Sequence, residues 1–157
     1  MSLEEVVMKR TLARSFVVAA ITCTALSGLS VASAQDKANA NTPKMVHLKD
    51  VEGMKIAPME SPGNNAYLQD VVTSNDKEKP ITCGMFRMEK GEPLTYTYPY
   101  DEMKVMLEGE MDISDGHDKI TVHKGDVLHF PKGSEITFSS KDYGLAFICG
   151  QRAKDGA

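Results

Sequence analysis

Three features of this sequence predict an all-β, single-domain fold. From Met45 onward, short runs rich in β-branched and aromatic residues recur at close intervals. Each run is bounded by Gly, Pro, Asn or Asp, which turns need for φ control or for local hydrogen bonds. No helical periodicity persists beyond about two turns.

Taken in order, the first run covers residues 66–72. It follows the breaker Ser61-Pro-Gly-Asn-Asn65 and ends before Ser74-Asn-Asp-Lys-Glu-Lys-Pro80. The second, 81–88, is closed by Lys90-Gly-Glu-Pro93. Runs at 94–98, 102–107 and 111–114 lead to Asp115-Gly116, and 120–123 leads to Lys124-Gly-Asp126. The run 127–130 stops at Pro131-Lys-Gly133, and 136–139 and 145–149 complete the set. About nine or ten short strands in roughly 110 residues suit a closed or double-sheet barrel, which leaves few open edges.

The start of the chain does not belong to this pattern. Met8-Lys9-Arg10 and Arg14 form a basic region, the stretch 16–29 is mostly apolar, and Ala32-Ser33-Ala34 offers small residues ahead of Gln35. This is the pattern of a secretory signal peptide over residues 1–34, with a periplasmic or secreted location expected. The apolar run is too short and broken for a stable membrane span. Glu4 and Glu5 do not suit a basic region, so Met8 is a plausible natural start. Residues 35–44, small and polar, read as a flexible leader. Cleavage after Ala34 removes three basic and two acidic side chains, leaving 15 Lys and Arg against 20 Asp and Glu, a net charge of −5. That balance argues against a nucleic-acid partner or an anionic membrane partner after processing.

Two stretches carry the most information. Tyr100-Asp-Glu-Met-Lys-Val-Met-Leu-Glu-Gly-Glu110 holds Glu102, six residues, then Gly109. Gly125-Asp-Val-Leu-His-Phe-Pro-Lys-Gly133 holds Gly125, five residues, Pro131, one residue, then Gly133. The glycines suit positions where the chain turns with positive φ. Asp126 suits a turn hydrogen bond, and Pro131 stops a strand. Together the stretches resemble the two motifs of a cupin, a double-stranded β-helix or jelly-roll barrel. With Ile136-Thr-Phe138, they are similar to the cupin of the ethanolamine-utilisation protein Q family over about residues 83–150. The resemblance implies a barrel over 45–150, with 151–157 as a C-terminal tail. The secretory segment departs from that family, whose members work inside the cell.

The resemblance also frames the chemistry. A typical metal cupin takes two His and one Glu from the first motif and one His from the second. Here the matching positions hold Tyr96, Tyr98, Glu102 and Ile136. A transition metal needs three or four converging N, O or S ligands, so no tightly bound metal and no cofactor is expected. His123 and His129 are the only histidines near enough in sequence to substitute. An acetate-kinase-like activity is associated with the family, but the sequence has no phosphate loop, dinucleotide fingerprint, Gly-x-Ser-x-Gly or His-Glu-x-x-His motif to support a named reaction.

Tyr96, Tyr98 and Tyr100 alternate along one strand and so share a face. If Glu102 keeps the family orientation, Tyr96 and Tyr98 line the barrel mouth beside it, with Lys104 on the same face and His129 on a neighbouring run. An aromatic stripe that merely packs a sheet would look the same. The reading is an exported cupin binding a small polar molecule through Tyr96, Tyr98, Glu102, Lys104 and His129. The alternative is a lyase, isomerase or hydrolase using Glu102 as base and Tyr96 or Tyr98 as acid. Met103, Val105 and Leu107 fall on the opposite face and call for cover, which suggests a homodimer. In the cupin topology, the run opening at Ile81 and the one ending at Cys149 are antiparallel neighbours. This brings Cys83 near Cys149, either as a disulfide worth about 3–4 kcal/mol through loop closure or as two buried thiols.

Overall fold

Strand formation follows the alternation of apolar residues, and the computed structural model, which describes residues 43–156, contains eight strands. They are β1 (Ala66–Thr73), β2 (Thr82–Glu89), β3 (Leu94–Thr97), β4 (Glu102–Ser114), β5 (Lys119–His123), β6 (Val127–Phe130), β7 (Glu135–Ser139) and β8 (Tyr143–Gly150). The only helical turn among the described residues is a 3₁₀ segment, Val51–Gly53. The expectations for a signal peptide and for most of the leader fall on residues 1–42, outside the described residues.

All strand pairing is antiparallel. One sheet runs β1-β2-β8-β4-β6 and the other β3-β7-β4-β5, so β4 belongs to both. The breakers act as expected in the connections. Asp115 Oδ1 accepts from the backbone N–H groups of His117 (2.9 Å) and Asp118 (2.8 Å). Asp126 Oδ2 accepts from that of His123 (2.8 Å). Such short side chains fix a turn by occupying backbone donors that no ladder reaches.

Three boundaries differ from the sequence expectation. The runs 102–107 and 111–114 form one strand, because Gly109 bends the chain rather than ending it. Gly109 has φ +65°, and a Cβ there would collide with the Tyr143 carbonyl. A bulge between Met106 and Glu108 accompanies the bend. It shifts the inward side from Glu102, Lys104 and Met106 to Met111 and Ile113. The run 94–98 ends at Thr97, ahead of Pro99. Tyr98 keeps a ladder-like pairing, donating to Ser134 O (2.9 Å) and accepting from Gly133 N (2.8 Å). The expected tail at 151–157 is drawn onto the barrel by Arg152, which is only 5% exposed.

The interior between the sheets holds Phe86, Phe130, Phe138, Met88, Met106, Met111 and Ile148, all buried. Each such side chain contributes about 1.5–3 kcal/mol on leaving water. Outside, Cys83 and Cys149 face one another across β2 and β8 with Cα atoms 4.1 Å apart and form a disulfide. The bond closes a sequence separation of 66 residues. The same outer side carries Met103 and Val127, both exposed.

Candidate functional site

β4 carries two polar side chains inward, two residues apart, into an otherwise apolar interior. Glu102 and Lys104 are each 3% exposed. Lys104 Nζ donates to Glu102 Oε1 at 2.7 Å, and the Tyr98 hydroxyl donates to the same oxygen at 3.0 Å. The amine is otherwise enclosed by rings, with Nζ 4.4 Å from the Phe86 centroid, 5.4 Å from Phe138 and 5.8 Å from Phe130. Strand alternation places the pair here. The neighbour Met103 projects to the exposed face.

The three tyrosines gather beside the pair. Tyr98 meets Tyr96 edge-on at 4.9 Å and Tyr100 at 5.9 Å, and stacks on Phe130 at 5.2 Å. The stripe therefore packs the interior and presents one hydroxyl, that of Tyr98, to Glu102. Gly150, opposite Glu102, leaves the room this needs. A Cβ there would stand 2.9 Å from the Tyr100 ring and 3.3 Å from Glu102 Oε2.

Burial sets the protonation tendencies. It pushes the Lys104 amine below the usual lysine range, against the opposing pull of Glu102. Burial, followed by the adjacent Glu102 charge, raises Tyr98, so its hydroxyl stays protonated and acts as a donor. Tyr100 is raised in the same way, chiefly by burial.

The pair lines a cavity of about 30 Å³ with Met59, Leu68, Leu94, Tyr96, Tyr100 and Ile148. That is roughly the volume of one water molecule. Beyond it lies an open groove of about 820 Å³, bordered by Glu60, Ser61, Gln69, Asp70, Thr95 and Asp155. Met59, Leu68, Leu94 and Tyr96 line both spaces and separate them. Sequence reasoning missed this partition, since Met59 lies in an irregular segment with no periodic signal.

Of the residues expected at the site, Tyr96, Tyr98, Glu102 and Lys104 are brought together. His129 is not. It pairs in register with Met103, is half exposed, and its Nε2 lies 3.3 Å from Asp101 Oδ1 on the outer side. Val127 and His129 do share a face, but it is the outer one. His123 is likewise exposed, 3.8 Å from Glu110.

The residues present do not make the metal centre that a cupin barrel usually implies. The single carboxyl group already receives an amine and a phenol on one oxygen. No three His, Cys, Asp or Glu residues converge among the described residues. A hard or borderline divalent ion would have to displace Lys104 and would find no imidazole.

Similarity to known proteins follows the same outline. The family described as "Ethanolamine utilisation protein EutQ" matches residues 6–149. The Acetate kinase EutQ of Clostridioides difficile (strain 630) is 32% identical over 83 residues, which cover 53% of this chain and 52% of that protein. The chain thus matches about half the length of this relative. The solved structure of the Clostridium difficile EutQ protein superposes with a TM-score of 0.58 at 24% identity, covering 67% of this chain and 86% of that one. An RmlC-like cupin from Shewanella frigidimarina NCIMB 400 superposes with a TM-score of 0.55 at 12% identity, covering 71% and 95%. Both likenesses speak to the fold.

Proposed function

Since this chain belongs to the ethanolamine utilisation protein EutQ family and has a cupin fold, we propose that its barrel binds a small polar molecule without a metal. The observation that carries this reading is the buried Glu102–Lys104–Tyr98 cluster, which borders a small cavity set behind an open groove, with Met59, Leu68, Leu94 and Tyr96 between the two. A polar head no larger than about two heavy atoms enters the inner chamber. The remainder of the ligand lies in the groove, past Met59 and Tyr96. A concave, mostly apolar site with a few converging polar groups is the ordinary form of a small-molecule site.

The acetate kinase activity named for the relative is not carried over. The matched segment is about half of that protein, and the sequence has no Gly-x-x-x-x-Gly-Lys loop to hold phosphates. We further propose that the chain is exported. The Cys83–Cys149 disulfide supports this, because such bonds persist in oxidising compartments.

One experiment addresses both halves. The chain is recovered from cells, its N-terminus is sequenced, and thermal unfolding is followed against a panel of short alcohols, amines, aldehydes and carboxylates. Recovery outside the cytoplasm beginning at Gln35 is the expected result. At least one panel member stabilises the protein in proportion to the logarithm of its concentration, and Glu102→Gln abolishes the shift. An uncleaved cytoplasmic chain sinks the export reading. A panel without any shift sinks the binding reading.

A further inference from the structure

Lys104 does more than neutralise Glu102 if the inner chamber is approached as a place for chemistry. Its amine is primary, fully enclosed, capped on one side by Phe86 and hydrogen-bonded on the other to a single oxygen. That oxygen is a built-in proton acceptor, and the Tyr98 hydroxyl 3.0 Å from it is a built-in donor. Nucleophile, base and acid therefore meet at one point on the wall of the cavity. Resting on the small-molecule reading above, we propose that Lys104 captures a short-chain aldehyde as an imine in the inner chamber.

The steps balance. Lys104 passes a proton to Glu102 Oε1 and frees the lone pair of Nζ. The lone pair attacks the carbonyl carbon, and the carbonyl π electrons move to oxygen, which takes a proton from the Glu102–Tyr98 pair. The carbinolamine nitrogen then passes a proton to Glu102, which hands it on to the hydroxyl. The C–O bond breaks as the C=N bond forms, water leaves, and the protonated imine stays paired with the Glu102 carboxylate while Tyr98 keeps its own proton. One aldehyde and one amine give one imine and one water, with no oxidant or reductant. Burial of the amine lowers its affinity for a proton and favours the attacking form.

The chamber selects the class. Space for about one water-sized group beside Nζ admits a carbonyl carbon bearing hydrogen and oxygen but not two carbon substituents. This favours aldehydes over ketones. The aromatic and aliphatic lining favours a neutral head over a carboxylate at the same place.

The test uses the folded full chain, propanal and sodium cyanoborohydride, which reduces an imine to a stable propylamine. Peptide mapping by mass spectrometry then compares Lys104 with Lys119 and Lys141, which are 65% and 76% exposed at their side chains. Lys104 is expected to be propylated about tenfold faster than either, despite its burial. Glu102→Gln, close to the native shape, is expected to slow Lys104 labelling about a hundredfold while leaving the surface lysines unchanged. Near-ultraviolet circular dichroism verifies that this variant is folded. Labelling of the surface lysines with Lys104 untouched overturns the proposal, as does labelling of all three at one rate. If propanal without reductant stabilises the protein while Lys104 stays unlabelled, the binding reading survives and the imine falls.

Discussion

Two buried ion pairs lie within one barrel, and they are built to different plans. Asp70 and Arg152 meet through two parallel contacts of 2.6 and 2.8 Å. Asp70 also accepts from the Asp155 backbone N–H at 2.8 Å, and Arg152 also donates to Ala153 O at 3.1 Å. Of the side-chain atoms of this pair, Arg152 Nε alone is buried without a partner. Glu102 and Lys104, equally buried, share one contact of 2.7 Å, and the amine has a single acceptor. In the outer pair each member drives the other toward its charged form. Burial works to raise Asp70, but Arg152 and the Asp155 N–H outweigh it and hold the carboxyl below its usual range, while Asp70 raises Arg152. In the inner pair burial wins at Lys104. A densely partnered pair fixes structure, whereas a sparsely partnered one beside a cavity retains reactivity.

The largest test of that contrast is Arg152→Ala. It leaves Asp70 buried without its guanidinium and frees the chain after Gly150, so about 3–5 kcal/mol of stability is expected to be lost. Urea unfolding measures this as a lower midpoint at unchanged slope. A loss below about 1 kcal/mol would make the pair no better than a surface one and would break the comparison.

The second test removes the inner pair as a unit. Glu102→Gln with Lys104→Met replaces both charges by groups of similar size. Such replacements are commonly neutral, or stabilising by about 1–4 kcal/mol. The double variant is expected to unfold at or above the wild-type urea midpoint while losing every ligand-induced thermal shift. A loss matching that of Arg152→Ala would show that the inner pair is structural after all.

What could be read from the sequence divides along the same line. Glu102 and Lys104 fall on one face in the sequence because strand alternation is local, and Glu102 with Gly109 sits in a recognisable motif. Tyr96 and Tyr98 followed from the same alternation, although β3 stops at Thr97. The bulge after Met106 has no local signal beyond Gly109, so one strand was read as two. Alternation sets His129 and Val127 on one face of β6 but does not say whether that face is inside. That depends on pairing with Met103, 26 positions earlier in number but adjacent in space. Asp70 and Arg152 are 82 residues apart, and neither carries a pattern naming the other. The resemblance, which ends at the last strand, implies a tail over 151–157 and has nothing to set against that long-range pair.

The smallest expected effect is in pH dependence, and it separates the two pairs by window. Asp70 has a lowered folded-state pKa, so at acid pH the unfolded chain binds a proton that the folded one refuses. Its stabilisation is present above the unfolded value of about 3.9 and is lost as pH falls through the folded value. Lys104 is also lowered, but as a base. Below the unfolded value of about 10.4 the unfolded chain holds a proton that the folded chain gives up, down to the folded value. Stability from Lys104 therefore rises with pH within that interval, and the cost of burying it is complete below it. Both groups give a positive slope, one at acid pH and one on the alkaline side. Urea midpoints measured across pH should show Asp70→Asn flattening the acid slope and the Glu102→Gln, Lys104→Met double variant flattening the alkaline one. Each change should be smaller than the effect of Arg152→Ala, because pH moves one proton and leaves the packing in place. If the double variant left the alkaline slope intact, Lys104 would not be a strained amine. The contrast between a pair that fixes structure and one held ready for chemistry would then lose its physical basis.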